Sequence, residues 1–177
     1  MSNHALHKQI AELIYTLRND LEVYVDQDCY FSTYNHDKHR IPFYLSYHAS
    51  KTSAVSNVDI IVCRNNKVIL ACEIEESGYH PTKIFGKIFS TASAKSCRIK
   101  TNGHFNSFEL DENALFLQII SDDNIPANSL KPNQGVLIEN EISTRLRYFN
   151  YWIKRYRLLY GNYKSLHNGI SNIIESL

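Results

Sequence analysis

Apolar residues recur along this chain with two different periods, and the switches between them divide it into elements. Leu6, Ile10, Leu13, Ile14 and Leu17 fall at helical spacing, which predicts an amphipathic helix over roughly Asn3 to Asn19. Runs rich in β-branched and aromatic residues follow, Leu21 to Phe31 and Ile41 to Tyr47 (IPFYLSY), with the polar NHDKHR between them as a turn or loop. The Ser-rich stretch His48 to Asn57 reads as an exposed loop. A hairpin is the clearest element. Val58 to Arg64 (VDIIVCR) and Lys67 to Glu75 (KVILACEIE) are its strands, and Asn65-Asn66 suits a two-residue turn because Asn tolerates positive φ. Ser77-Gly78 ends the second strand, and Pro81 suits the first turn of a helix. Ile84, Phe85, Ile88, Phe89 and Ala92 give that helix an apolar stripe. Asn113 to Ser121 (NALFLQIIS) predicts a buried strand. Glu141 to Tyr160 predicts a long helix with Ile142, Leu146, Phe149, Ile153 and Tyr156 on one face, and Ser165 to Leu177 a short closing helix. The order α, four strands, α, β, α, α predicts an α/β fold: one domain over 1–177, a mixed central β-sheet flanked by helices, with a helical C-terminal segment over 141–177.

Composition narrows the class. At 177 residues the chain has the size of one domain, and its 44% hydrophobic and 12% aromatic content argues against disorder. No apolar run reaches the roughly 18 to 20 residues of a membrane span. The opening MSNHALHKQIAELIYTLRND lacks the apolar core of a signal peptide. The expectation is a soluble, cytoplasmic protein. Cys29, Cys63, Cys72 and Cys97 include no C-x-x-C pair and are expected to be buried free thiols.

The formal net charge of +1 conceals a segregated distribution. Ser77 to Phe108 carries Lys83, Lys87, Lys95, Arg98 and Lys100 and no acid. Ile142 to Ser171 carries Arg145, Arg147, Lys154, Arg155, Arg157 and Lys164, again with no acid. These are either two solvated helix faces or a surface for a polyanion. On the predicted helix over 141–160, Arg147, Lys154 and Arg155 group opposite the apolar stripe with Tyr151 among them, the arrangement that phosphates and an unpaired base would contact. His36 and His39 lie in the first loop without the neighbours a metal site needs.

Candidate chemistry lies at Asp59, Glu73 and Glu75. Side chains alternate along a strand, so Glu73 and Glu75 share a face with Ile69 and Ala71. With a strict two-residue turn, Arg64 pairs with Lys67 and Asp59 falls opposite Cys72, which splits the carboxylates between faces. A three-residue loop or one bulge brings Asp59 opposite Glu73 and puts all three on one face. Three such acids repel, and a divalent cation with hard oxygen ligands, Mg²⁺ or Mn²⁺, relieves the repulsion.

A helix, strands, the hairpin carrying VDIIV and CEIEESG, and a lysine-bearing helix together resemble the PD-(D/E)xK nuclease superfamily, over about Asn3 to Lys95 by element order and through three motif residues. Val58 stands where that superfamily often has Pro. Glu75 stands where its lysine is usual, which resembles the Glu-x-Glu variant of some type II restriction endonucleases; other members take the lysine from the following helix, where Lys83 and Lys87 are the candidates. The resemblance implies a restriction-endonuclease-like sheet, with Asp59, Glu73 and the Ile74 carbonyl holding the metal. Glu75 or a helix lysine would position or deprotonate the attacking water, and the products would be 5′-phosphate and 3′-hydroxyl ends. Glu12 or Glu22 could add a carboxylate. The function implied is a metal-dependent DNA endonuclease, a small restriction enzyme working as a homodimer. A junction or repair nuclease shares the same chemistry. From other classes come a non-catalytic nucleic-acid-binding module that keeps the fold and a protein-interaction domain using the tyrosine-rich C-terminal region.

Overall fold

The structure is a computed structural model that describes residues 4–34, 40–76, 78, 80–101, 103–123, 125–126 and 128–177. His36, His39 and Ser77 therefore lie outside the described residues. Among those described, four α-helices flank one mixed sheet of eight strands. In chain order the elements are α1 (Ala5–Leu17), β1 (Glu22–Val25), a single 3-10 turn (Gln27–Cys29), β2 (Pro42–Tyr44), β3 (Ala54–Asn57), β4 (Ile60–Arg64) and β5 (Lys67–Glu75). After these come α2 (Pro81–Ala92), β6 (Ser96–Thr101), β7 (His104–Ile120), α3 (Lys131–Tyr148), β8 (Arg155–Tyr160) and α4 (Tyr163–Glu175).

The strand order is β1-β4-β5-β7-β6-β2-β3, with β8 also paired to β7. β7 reaches this by serving two halves of the sheet. Its first residues pair antiparallel with β6, and Leu115 to Ile120 run parallel to both β5 and β8. Strands covered on both faces read as continuous apolar runs, and ALFLQII at the end of β7 is one, interrupted only by Gln118. The two faces hold separate cores. Ile84, Ile88 and Ala92 of α2 join Ile138, Ile142 and Leu146 of α3 over one face. Leu6, Ile10 and Ile14 of α1 join Leu166, Ile170 and Ile174 of α4 over the other. All four cysteines are buried and free. None of the described helices is long and apolar enough to cross a membrane.

Several expected elements differ. The helix over 141–160 is not one helix. α3 starts ten residues earlier, at Lys131-Pro132, and stops at Tyr148; Phe149 is already extended (φ −99°, ψ 151°). Arg155–Tyr160 (RYRLLY) then forms β8, so the segment over 141–177 is not all helical. Ile153 and Tyr156 fit a helical wheel, but Tyr156 and Leu158 also alternate at strand period, and the open edge of β7 decides between the two. Gly135 concealed the first turns of α3; the glycine sits where a Cβ would lie 3.6 Å from Leu158. The Ser-rich loop contains the short edge strand β3, paired with β2. β6 and the first half of β7 have no counterpart in the apolar pattern, because that half of β7 is largely exposed.

Candidate active site at the end of the hairpin

Register decides how the hairpin presents its carboxylates. Its turn has two residues, Asn65 at φ 52° and Asn66 at φ 61°. Arg64 pairs with Lys67 and Cys63 with Val68. The register then shifts by one, so that Val62 faces Leu70, Ile61 faces Ala71 and Ile60 faces Cys72. Ile69 is the extra residue of a β-bulge. The last pair of the ladder is Ile60 with Cys72, and Asp59 lies one residue beyond it, in a bend outside β4. The two-residue turn and the bulge are both present.

The end of the ladder is fastened by Asp59 itself. Its N–H donates to the Cys72 carbonyl at 3.0 Å, and its carbonyl accepts the Asp26 N–H at 2.7 Å. Its Oδ2 accepts the Ile74 N–H at 2.6 Å. The N–H and C=O of one strand residue point to the same side, so the Ile74 carbonyl also faces the side on which Asp59 lies. Asp59 is thus fastened to the backbone of Cys72 and Ile74, on either side of Glu73.

The two helix lysines are placed differently. Lys87 Nζ lies 2.7 Å from Glu73 Oε1, and its side chain is 28% exposed. Lys83 is 60% exposed and lies 3.5 Å from Glu75 Oε2. Each lysine therefore serves a different acid, Lys87 at the buried pair and Lys83 at the rim. The second oxygen of Glu73, Oε2, is shut off from solvent and has no hydrogen-bond partner among the described residues. Burial and the nearby Asp59 push the Glu73 carboxyl up to about 8, against the pull of Lys87. Burial likewise raises Asp59, although His7, the Ile74 N–H and Lys87 favour its charged form. An orphaned carboxylate oxygen beside a second carboxylate is a donor set that fits a hard divalent cation.

Glu73 and Glu75, but not Asp59, line a cleft of about 410 Å³ between β3 and α2, with Ser56, Lys83, Lys87 and Gln118 among its other walls. Thr91 Oγ1 donates to Ser56 Oγ at 2.8 Å and ties the two walls together. Gly86 also lines the cleft, and a Cβ there would meet nothing within 4 Å.

Three site residues were not among the sequence candidates. Gln118 stands next to Glu73 in the parallel β5–β7 pair, with its Oε1 accepting the Tyr156 hydroxyl at 2.9 Å. A lone amide inside an apolar strand was the signal for it. His7 of α1 places Nε2 3.7 Å from Asp59 Oδ2 and Nδ1 2.8 Å from Glu76 Oε1. Asp26 ends the β1 edge beside Asp59, and burial raises its carboxyl. No periodicity in the sequence announces either contact. The extra carboxylates anticipated from Glu12 and Glu22 are not brought in. Glu12 is exposed on α1. Glu22 pairs with Cys63 at the end of β1 away from Asp59.

The basic candidates are redistributed. Arg147 lies in the last turn of α3, Tyr151 and Lys154 in the connection, and Arg155 at the start of β8, so they do not form one helix face. Tyr151 is half-buried against Phe89 of α2, at 5.6 Å between ring centroids. Arg147, Lys154 and Arg155 nevertheless meet, with Arg157, around a depression of about 380 Å³ that also contains Glu139 and Ser143. Arg155 pairs with Leu115, whereas Glu73 pairs with Gln118. The depression is therefore offset by roughly 10 Å along the strands from the carboxylates.

Comparison with protein-family models, with curated proteins and with solved structures finds no match to this chain. The class that fold and site define is an α/β domain with a paired-carboxylate, lysine-bearing cleft at the end of its central strands.

Proposed function

We propose that this protein is a metal-dependent endonuclease that hydrolyses DNA phosphodiester bonds, most simply a small sequence-specific enzyme acting as a homodimer. The observation that carries this reading is the Lys87–Glu73 ion pair, with one buried Glu73 oxygen unpartnered among the described residues and Asp59 bonded to the next residue of the strand. Asp59, Glu73 and the Ile74 carbonyl would hold Mg²⁺ or Mn²⁺, which supplies charge neutralisation at the phosphoryl oxygens and eases deprotonation of water. Lys87 would orient the attacking water and counter the charge gathering on the phosphate. Glu75, paired with Lys83 at the rim of the cleft, would take the water's proton. The water oxygen bonds to phosphorus as the bond to the 3′ oxygen breaks, and the 3′ oxygen is then protonated. Gln118, fixed by Tyr156, would steady the substrate from the neighbouring strand. Arg147, Lys154, Arg155 and Arg157 would contact phosphates farther along the duplex.

One observation favours a second reading, a nucleic-acid-binding module without catalysis. Lys87 already sits on Glu73 at 2.7 Å, so a lysine can stand in for the cation's charge. Incubation with unmethylated duplex, branched and single-stranded DNA and with RNA, under Mg²⁺ or Mn²⁺, separates the two. Discrete DNA fragments support the endonuclease, and products only from branched DNA support a junction nuclease. Salt-sensitive binding without cleavage of any substrate refutes the catalytic reading.

A further inference from the structure

Glu76 follows β5 immediately and turns away from the cleft toward α1. Its Oε1 accepts the backbone N–H of His7 at 3.0 Å and faces His7 Nδ1 at 2.8 Å. His4, at the N-cap position of α1, makes no side-chain cap hydrogen bond, so Glu76 caps the helix from a distant part of the chain. His4 and His7 lie three residues apart and share a helix face. Their rings meet edge to face with centroids 5.1 Å apart. One ring nitrogen of each histidine and one Glu76 oxygen all lie within 4.8 Å of one another. Capping accounts for Glu76 and for His7. It does not account for His4 Nδ1, which is sealed from solvent and has no hydrogen-bond partner among the described residues. A buried polar atom in that state is destabilising and calls for a ligand.

We propose that His4, His7 and Glu76 bind a divalent transition-metal ion of the Zn²⁺ class, at a site separate from the Asp59–Glu73 centre. Two imidazoles and one carboxylate are a donor set that Zn²⁺ takes readily and Mg²⁺ does not. His4 and Glu76 are only partly buried, which leaves room for water as a fourth ligand. The ion takes the place of the hydrogen bond between His7 Nδ1 and Glu76 Oε1. With Nδ1 on the ion, the His7 ring carries its hydrogen on Nε2, the nitrogen 3.7 Å from Asp59 Oδ2. The site thereby fixes the first turn of α1 to the end of β5 and turns His7 into a donor facing Asp59, as outer carboxylates do for metal-bound histidines. None of this depends on whether the chain cleaves DNA.

Titration of the full chain with Co²⁺, followed by visible absorption and reversed with Zn²⁺, tests the site. One Co²⁺ per chain with a strong visible band, displaced by Zn²⁺, is expected. His4→Ala and Glu76→Gln should each weaken binding roughly 100-fold or more, given that loss of outer partners alone costs 10–100-fold. Glu76→Gln keeps an oxygen to cap His7, and His4→Ala removes only a ring at the helix end, so both variants should fold. Asp59→Ala should keep the band. Four results would overturn the proposal: no saturable Co²⁺ binding, unchanged affinity in His4→Ala, loss of the band in Asp59→Ala alone, or an intense near-ultraviolet thiolate band placing the ion on a cysteine.

Discussion

Replacing Glu73 by Gln should flatten the pH dependence of stability without dismantling the site. Glu73 is 16% exposed, and its carboxyl is raised from 4.5 to about 8 chiefly by burial and then by Asp59. Between those two values the folded chain holds a proton that the unfolded chain has released. The unfolded state binds fewer protons there, so stability falls as pH rises through this window. At about 1.4 kcal/mol for each pH unit, the climb from 4.5 to about 8 sets a ceiling of about 5 kcal/mol on Glu73's share. Glutamine cannot ionise, keeps an oxygen for Lys87 Nζ, and fills nearly the same space. Urea unfolding with chelator at pH 5, 6, 7 and 8 measures the effect. The difference between variant and wild type cancels every other titrating group to first order. That difference should move in favour of Glu73→Gln by roughly 2–4 kcal/mol between pH 5 and 8. Mg²⁺ at pH 8 should restore stability to the wild type and not to the variant, because the cation replaces the proton on Glu73. Parallel curves for the two proteins would refute the placement of a buried, partly protonated carboxylate at this point.

Other consequences are as direct. Lys87→Ala should lower DNA cleavage by roughly 100-fold or more, and Lys83→Ala, at the exposed rim, by less than about 10-fold, read as plasmid linearisation rates. Gly86→Ala should raise stability by about 0.5–1 kcal/mol in thermal unfolding, since the residue is inside α2 and a Cβ meets nothing within 4 Å. Asn65→Val should cost about 1–2 kcal/mol, because a β-branched residue is strained at φ 52°. Gly161→Ala should destabilise by about 1–3 kcal/mol, as a Cβ at φ 153° would overlap Ser165 Oγ.

The sequence makes the site more legible than the sheet around it. Alternation along KVILACEIE puts Glu73 and Glu75 on one face, and Asn65-Asn66 announces the turn. The bulge at Ile69 and the bend that ends β4 at Asp59 carry no local signal in an apolar strand. The lysine is open for a similar reason. Lys83 and Lys87 lie a helical turn apart, and only the way α2 packs over β5 brings Lys87 to Glu73. Long-range pairing decides the rest. RYRLLY forms a strand because the edge of β7 is there to receive it. His7 reaches Asp59 because α1 crosses the other face, far from the hairpin in sequence. The charge segregation in 142–171 survives as a cluster of Arg147, Lys154, Arg155 and Arg157, although the helix on which it was expected ends before most of it.

Single-turnover cleavage of a DNA substrate under Mg²⁺ tests the central claim most directly, with wild type beside Asp59→Ala and Glu73→Ala. The account expects cleavage by the wild type, its loss in both variants, and no cleavage by any of the three with chelator present. Cleavage undiminished in either variant, or a wild type that binds DNA and never cuts it, would contradict the assignment of the hairpin carboxylates as a catalytic centre.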